Sequence, residues 1–181
     1  MQNKKLIISL FSLCLVAIVG LLATVIVFAA TSQNIESKIS ITYTANQVSG
    51  SLTAKYTIGT TDTPIGTKSF TATTSATGTW TDATPTLTAS NKVVKFTYTF
   101  TNNGDNDVTL ALTGSATDTN ANITIEYSND DSTWTEKITS ASRTVEGKGE
   151  SGSVYVRMTI KDTAKNVGLS GSYSVNISNK G

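Results

Sequence analysis

The residues that bear on chemistry inform as much by what is missing as by what is present. The chain contains no histidine, so it cannot build a Ser-His-Asp triad, a Cys-His pair or a zinc site that depends on imidazole. Its one cysteine, Cys14, reads as an apolar filler rather than a lipid anchor, because Leu13 precedes it and the apolar run continues well beyond it. What remains is oxygen and aromatic chemistry. Asp105 and Asp107, with Asn102, Asn103 and Asp118, set acidic and amide ligands around Gly104 in a pattern that suits calcium. The same residues also make an ordinary solvated hairpin turn. Glu126, Glu136, Glu146 and Glu150 are the candidates for a carboxylate pair in glycoside hydrolysis. Two of them lie in a glycine-rich loop and two flank a hairpin, which favours solvated surface charge. Trp80 and Trp134, with Tyr127, are candidates for stacking on a sugar ring, against the alternative of packing in a core or hairpin. No catalytic constellation emerges, so the expectation is a protein that is not an enzyme and uses no cofactor.

These residues must be held by strands. Threonine and serine alternate with apolar residues at a period of two, which puts the apolar members on one face of a pleated strand. The clearest runs are Lys38 to Ala45, Ser51 to Ile58, Val93 to Thr101, Val108 to Thr113, Ile123 to Tyr127, Ser153 to Ile160 and Gly171 to Ile177. Weaker runs are Lys68 to Ala72, Thr86 to Ala89, Trp134 to Ile138 and Ala141 to Val145. Turn residues separate them at Asn102 to Asp107, at Asn129 to Ser132 and at Glu146 to Gly152. The segment Ser128 to Trp134 resembles an Asp-box hairpin, an Asx-type turn with an aromatic cap on the returning strand, although it lacks the glycine and is one residue shorter. Many short strands with no amphipathic helix between them predict an all-β fold: an antiparallel β-sandwich, jelly-roll or Ig-like. The expected inward set runs from Ile39, Ile41 and Tyr43 through Phe96, Tyr98 and Phe100 to Tyr173, Val175 and Ile177.

The first thirty residues place that domain. Lys4 and Lys5 precede an uncharged apolar run over residues 6–30, long enough as a helix to span a bilayer. Small side chains at Ala29 and Ala30 mark the cut site of a signal peptidase. If the leader is not cleaved, the two lysines hold the N-terminus inside and residues 6–30 form a single-pass anchor. The expected organisation is therefore a leader or anchor over residues 1–30, a hydrophobic helix, and one sandwich domain over residues 31–181. The working domain lies at the cell surface or outside the cell. Without Lys4 and Lys5 the formal charge falls from +1 to −1, and no basic patch argues for nucleic acid. No cysteine remains for a disulfide in the domain, which suits a bacterial surface protein.

Three features together resemble the TasA/camelysin family of exported Gram-positive proteins: Lys4-Lys5 with a leader ending Val27-Phe28-Ala29-Ala30, the strand-turn-strand from Phe96 to Leu110, and the final pair Val154 to Asp162 and Ser170 to Ile177. The resemblance implies a jelly-roll domain behind a leader cut by a dedicated signal peptidase. It also implies a subunit of extracellular fibres or biofilm matrix that assembles with copies of itself by β-strand addition. The matching assembly strand is Ile35 to Ala45, with Ile39, Ile41 and Tyr43 filling a groove in a neighbour; the same stretch also reads as the domain's own first strand. A zinc peptidase activity is not expected in a chain without histidine. The alternative function is a membrane-anchored surface adhesin or carbohydrate-binding module.

Overall fold

A computed structural model of the chain describes residues 35–73, 75–88, 90–118, 123–136, 140–161 and 169–180. The leader, its hydrophobic helix, Ala29 and Ala30 lie outside the described residues. Alternation of apolar and hydroxyl side chains yields twelve strands among the described residues: β1 (Ile35–Asn46), β2 (Val48–Ile58), β3 (Thr61–Thr73), β4 (Ala76–Ala83), β5 (Thr86–Leu87), β6 (Val93–Asn102), β7 (Val108–Asp118), β8 (Ile123–Ser128), β9 (Thr135–Glu136), β10 (Ser140–Val145), β11 (Glu150–Ile160) and β12 (Leu169–Asn179). No described helix is long and apolar enough to cross a membrane.

The strands form two six-stranded sheets, and the protein is a β-sandwich. The first sheet runs β10-β7-β12-β1-β4, with β5 also paired to β1; the second runs β3-β2-β6-β11-β8-β9. Most connections change sheets, so each apolar face is built from sequence-distant strands. The inner faces interdigitate in one core that includes Ile39, Ile41, Leu52, Phe96, Phe100, Leu110, Leu112, Met158 and Ile177. Aromatic contacts tie the sheets together, Tyr43 lying 5.8 Å from Phe70 and Phe96 6.2 Å from Tyr173 between ring centroids, while within the first sheet Tyr43 packs 5.4 Å from Trp80.

One ladder departs from the expected antiparallel pattern. β1 pairs in parallel with β12, from Ser37 opposite Leu169 to Asn46 opposite Ser178, while its other edge pairs antiparallel with β4. A parallel pair needs a long crossover between its strands. Among the described residues β1 and β12 are the first and last strands, so the strands between them make that crossover.

Two strands depart from the sequence expectation for local reasons. β3 begins seven residues before Lys68, passing through Pro64 and Gly66, because it is an edge strand paired only with β2, where a missing N–H and a bulge are tolerated. On the inner face of β4, Gly78 stands beside the buried Trp80 and leaves room for an aromatic ring from the neighbouring β1. Gly78 is the register partner of Tyr43, and a Cβ there would stand 2.3 Å from the Tyr43 hydroxyl oxygen. The same device recurs at Gly114, register partner of Tyr173, where a Cβ would stand 2.3 Å from Tyr173 Cδ1. Gly114→Ala is therefore expected to displace the Tyr173 ring and lower stability by about 1–3 kcal/mol. Urea unfolding measures it, and an unchanged midpoint would show that the ring has other room.

Candidate functional site

The outer face of the second sheet carries a connected row of aromatic and charged side chains, positioned by the turn after β8. Ser128 ends β8 with its hydroxyl buried; the oxygen accepts the N–H groups of Asp130 at 3.3 Å and Asp131 at 3.0 Å, and the hydroxyl donates to Asp130 Oδ1 at 3.0 Å. Asp130 Oδ1 also accepts from Ser132 N at 2.9 Å and Thr133 N at 2.8 Å. These bonds satisfy the backbone of a chain reversal that has Asp131 at φ 63°, a conformation Asp tolerates. The reversal delivers Trp134 onto β11.

There the Arg157 guanidinium carbon lies 4.3 Å from the Trp134 ring centroid, and Tyr155 meets the indole edge-on at 6.4 Å. Arg157 is held from the other side by Glu126, its register partner on β8, through Nε at 2.9 Å and Nη2 at 2.8 Å. Lys95 Nζ lies 5.7 Å from the Tyr155 centroid and pairs with Asp131 at 2.7 Å. Each half-exposed ion pair is worth about 0–1 kcal/mol, so the row fixes side-chain positions more than it stabilises the fold. Further along the same ladder the face is hydroxylic: Thr99 bonds Ser153 at 2.7 Å and Thr101 bonds Ser151 at 2.8 Å, between β6 and β11.

The sugar-stacking trio does not assemble. Trp80 and Tyr127 are buried in the core, and only Trp134 reaches the outer face. Its partner there is Tyr155, which the sequence reading missed; the signal was available, since Tyr155 and Arg157 alternate with the inward Val154, Val156 and Met158. Among the four glutamates, Glu126 and Glu136 are register partners on β8 and β9, but Glu126 is committed to Arg157. Glu146 and Glu150 border a cleft of about 250 Å³ beside Arg143, away from the other two.

Asp105 and Asp107 lie in the β6–β7 turn, the first exposed and the second half-buried. Among the described residues no three acidic or thiol side chains gather as a metal site would require. The organising group in this turn is the buried Asn102. Its amide donates to Asn106 O at 2.8 Å and Val145 O at 3.3 Å, and its Oδ1 accepts from Gly104 N at 3.1 Å. Backbone bonds from Asn103 N to Ser49 O, Gly149 N to Asn102 O and Lys180 N to Asp107 O tie three further segments to this turn. The assembly-strand residues Ile39, Ile41 and Tyr43 all point into the core from β1, in the chain's own sheet.

No protein-family model matches the chain, and no curated protein matches it. The class that the fold defines is a two-sheet β-sandwich, and solved structures resemble it only loosely. The N-terminal domain of PorA aligns over 46% of this chain and 75% of its own, at 8% identity and a TM-score of 0.28. A β-glucosidase from Kluyveromyces marxianus aligns over 71% of this chain and 16% of its own, at 11% identity and a TM-score of 0.29. The carbohydrate-binding module CBM3b of a Clostridium thermocellum cellobiohydrolase covers 65% and 73%, at 9% identity and a TM-score of 0.22. Superpositions this loose carry no argument about family or activity.

Two predictions follow from the turns. Asn102→Ala strands the Gly104 N–H and two carbonyls near the core, and is expected to cost about 3 kcal/mol in chemical denaturation. A loss below about 0.5 kcal/mol would mean that water replaces the amide. The second concerns acid. The N–H groups of Thr133 and Ser132, then the Ser128 hydroxyl, hold the Asp130 carboxyl well below the usual aspartate value. A depressed folded-state pKa contributes stability that is present above the unfolded value and lost as pH falls toward the folded one. Trp134 fluorescence is expected to report loosening of this hairpin between about pH 5 and pH 2, and Asp130→Ala to abolish that transition. A transition that persists in Asp130→Ala would assign it to another group.

Proposed function

We propose that this chain is an exported, non-catalytic structural protein of the cell surface or extracellular matrix, a fibre subunit in which β1 of one copy completes the first sheet of the next. The observation that carries the reading is how β1 is attached. It contributes Ile39, Ile41, Tyr43 and Ala45 to the core, yet a single residue, Gln47, joins it to β2 in the opposite sheet. Gln47 sits at φ 54°, a left-handed conformation that costs a side-chain-bearing residue roughly 1–2 kcal/mol. Opening that corner would release the strain and let β1 swing out as an arm. A second copy offers the same slot between β12 and β4, so the exchanged strand regains the bonds it gives up.

The leader supports export, and the family resemblance supports processing by a signal peptidase before assembly. The sugar-binding alternative finds less support, because Arg157 covers one face of the outer tryptophan and the other two aromatics are buried.

The test tethers β1 without removing it. Thr42 and Ser174 are register partners on the outward side of the parallel pair, and neighbouring positions of this kind accept a disulfide. Negative-stain microscopy of residues 31–181 carrying Thr42→Cys and Ser174→Cys is expected to show filaments when reduced and monomers when oxidised. Monomers under both conditions, alongside monomers from the unsubstituted protein, would sink strand exchange. Filaments under both would place the contact elsewhere.

A further inference from the structure

The β6–β7 turn holds the only Asn-Gly pair in the chain, Asn103-Gly104. Asparagine before glycine is prone to rearrange unaided, because glycine has no Cβ to keep its nitrogen away from the preceding carboxamide. In that reaction Gly104 N gives up its proton and attacks Asn103 Cγ. The new N–Cγ bond closes a succinimide ring as the Cγ–Nδ2 bond breaks, and the leaving nitrogen takes up the proton and departs as ammonia. Water then adds to one of the two ring carbonyls, and the ring opens to aspartate or isoaspartate at position 103. Water is the only co-reactant, and nothing is oxidised or reduced.

Solvent reaches this pair. Asn103 is exposed, and Gly104 borders a cleft of about 180 Å³ with Ser49, Asn102 and Asp105. Beyond its chain neighbours, a Cβ at Gly104 would meet nothing closer than Asn102 Oδ1 at 3.3 Å. Burial and crowding therefore do not keep the nitrogen from its target. Hydrogen bonding does. Asn102 Oδ1 accepts the Gly104 N–H at 3.1 Å and so holds the proton that must leave. The pair is pinned on both sides of that nitrogen: Asn103 N donates to Ser49 O at 2.9 Å, and Gly104 O accepts from Lys148 N at 2.8 Å. Asn102 is fixed in turn, because its amide donates to Asn106 O and Val145 O and its backbone carbonyl accepts from Gly149 N at 2.7 Å. Loss of the proton would leave a nitrogen anion facing the Asn102 oxygen, with no donor to replace the bond.

We infer that Asn103-Gly104 is a self-modification site held shut by the Asn102 side chain, and that opening of this turn releases it. The modified turn does not close as before. Isoaspartate routes the main chain through the side-chain carbons beside the N–H that bonds Ser49 O, and either product adds a carboxylate to a turn that already carries Asp105 and Asp107. Each molecule thus keeps a permanent chemical mark of having opened there. The inference is independent of whether the protein polymerises.

The experiment follows deamidation of Asn103 by peptide mass spectrometry of the purified protein in mildly alkaline buffer, folded and in urea, with Asn102→Ala and Gly114→Ala alongside. The folded protein is expected to react at least roughly tenfold more slowly than the chain in urea, because only molecules opened at the turn react. Folded Asn102→Ala is expected to recover most of the unfolded rate, while Gly114→Ala, weakened at the Tyr173 ring instead, stays slow. Folded protein that reacts as fast as the chain in urea, a folded Asn102→Ala that stays slow, or a Gly114→Ala that speeds up as much as Asn102→Ala would each overturn the inference. Amide hydrogen exchange of the unsubstituted protein decides the matter even where Asn102→Ala does not fold. The Gly104 N–H is expected to be protected, and exchange at the rate of an open chain would overturn the assignment.

Discussion

The fold depends on a strand that is bonded along both edges and comes from the start of the domain. β1 lies between β12 and β4, so its backbone N–H and C=O groups are spent in two ladders while its apolar side chains enter the core. Removing such a strand would expose two sheet edges and a groove at once. The remainder of the architecture can be described by what it does around this slot. β4 keeps a glycine at Gly78 so that Tyr43 can lie across it beside Trp80, β3 supplies Phe70 against the same ring, and β12 sets the register of β1 over ten residue pairs.

A second constraint operates at one end of the sandwich, where chain segments that are far apart in sequence must be brought to one place. Asn102 does this with a single side chain that uses both of its amide donors and its carbonyl. A turn rich in asparagine and aspartate thus serves as a junction between β2, β6, β10 and the C-terminal strand, and its polar groups are largely engaged in that task. The turn after β8 solves the same problem with Ser128 and Asp130. Both sites show side-chain oxygens standing in for backbone partners that a change of direction removes.

Much of this was legible because strand alternation is a strong local signal. Ile39, Ile41, Phe96, Tyr98, Phe100, Leu110, Val156 and Ile177 are inward as their period of two requires. Tyr56, Ile123 and Ile125, which alternate in the same way, are only partly buried and pack against the core's margin. What escaped was non-local. β4 has a glycine, Gly78, on its inward face, and the reason, the Tyr43 ring from β1, is visible only in three dimensions. Trp80 and Phe70 are buried against that same ring. The parallel pairing of β1 with β12 was likewise beyond reach, since alternation fixes which face a residue takes and says nothing about strand direction. The outer row around Trp134 was half legible: its turn was recognisable, but its partners come from β6 and β11.

The parallel pairing of the terminal strands gives the domain a polarity. Ser37 lies beside Leu169 and Asn46 beside Ser178, so β1 begins at one end of the sandwich and β12 finishes at the other. Ten paired residues at about 3.3 Å each separate the two points by roughly 30 Å. An antiparallel pair would have returned the chain to its starting side. As built, the start of β1 and the end of β12 lie a full strand length apart, at opposite ends of the sandwich.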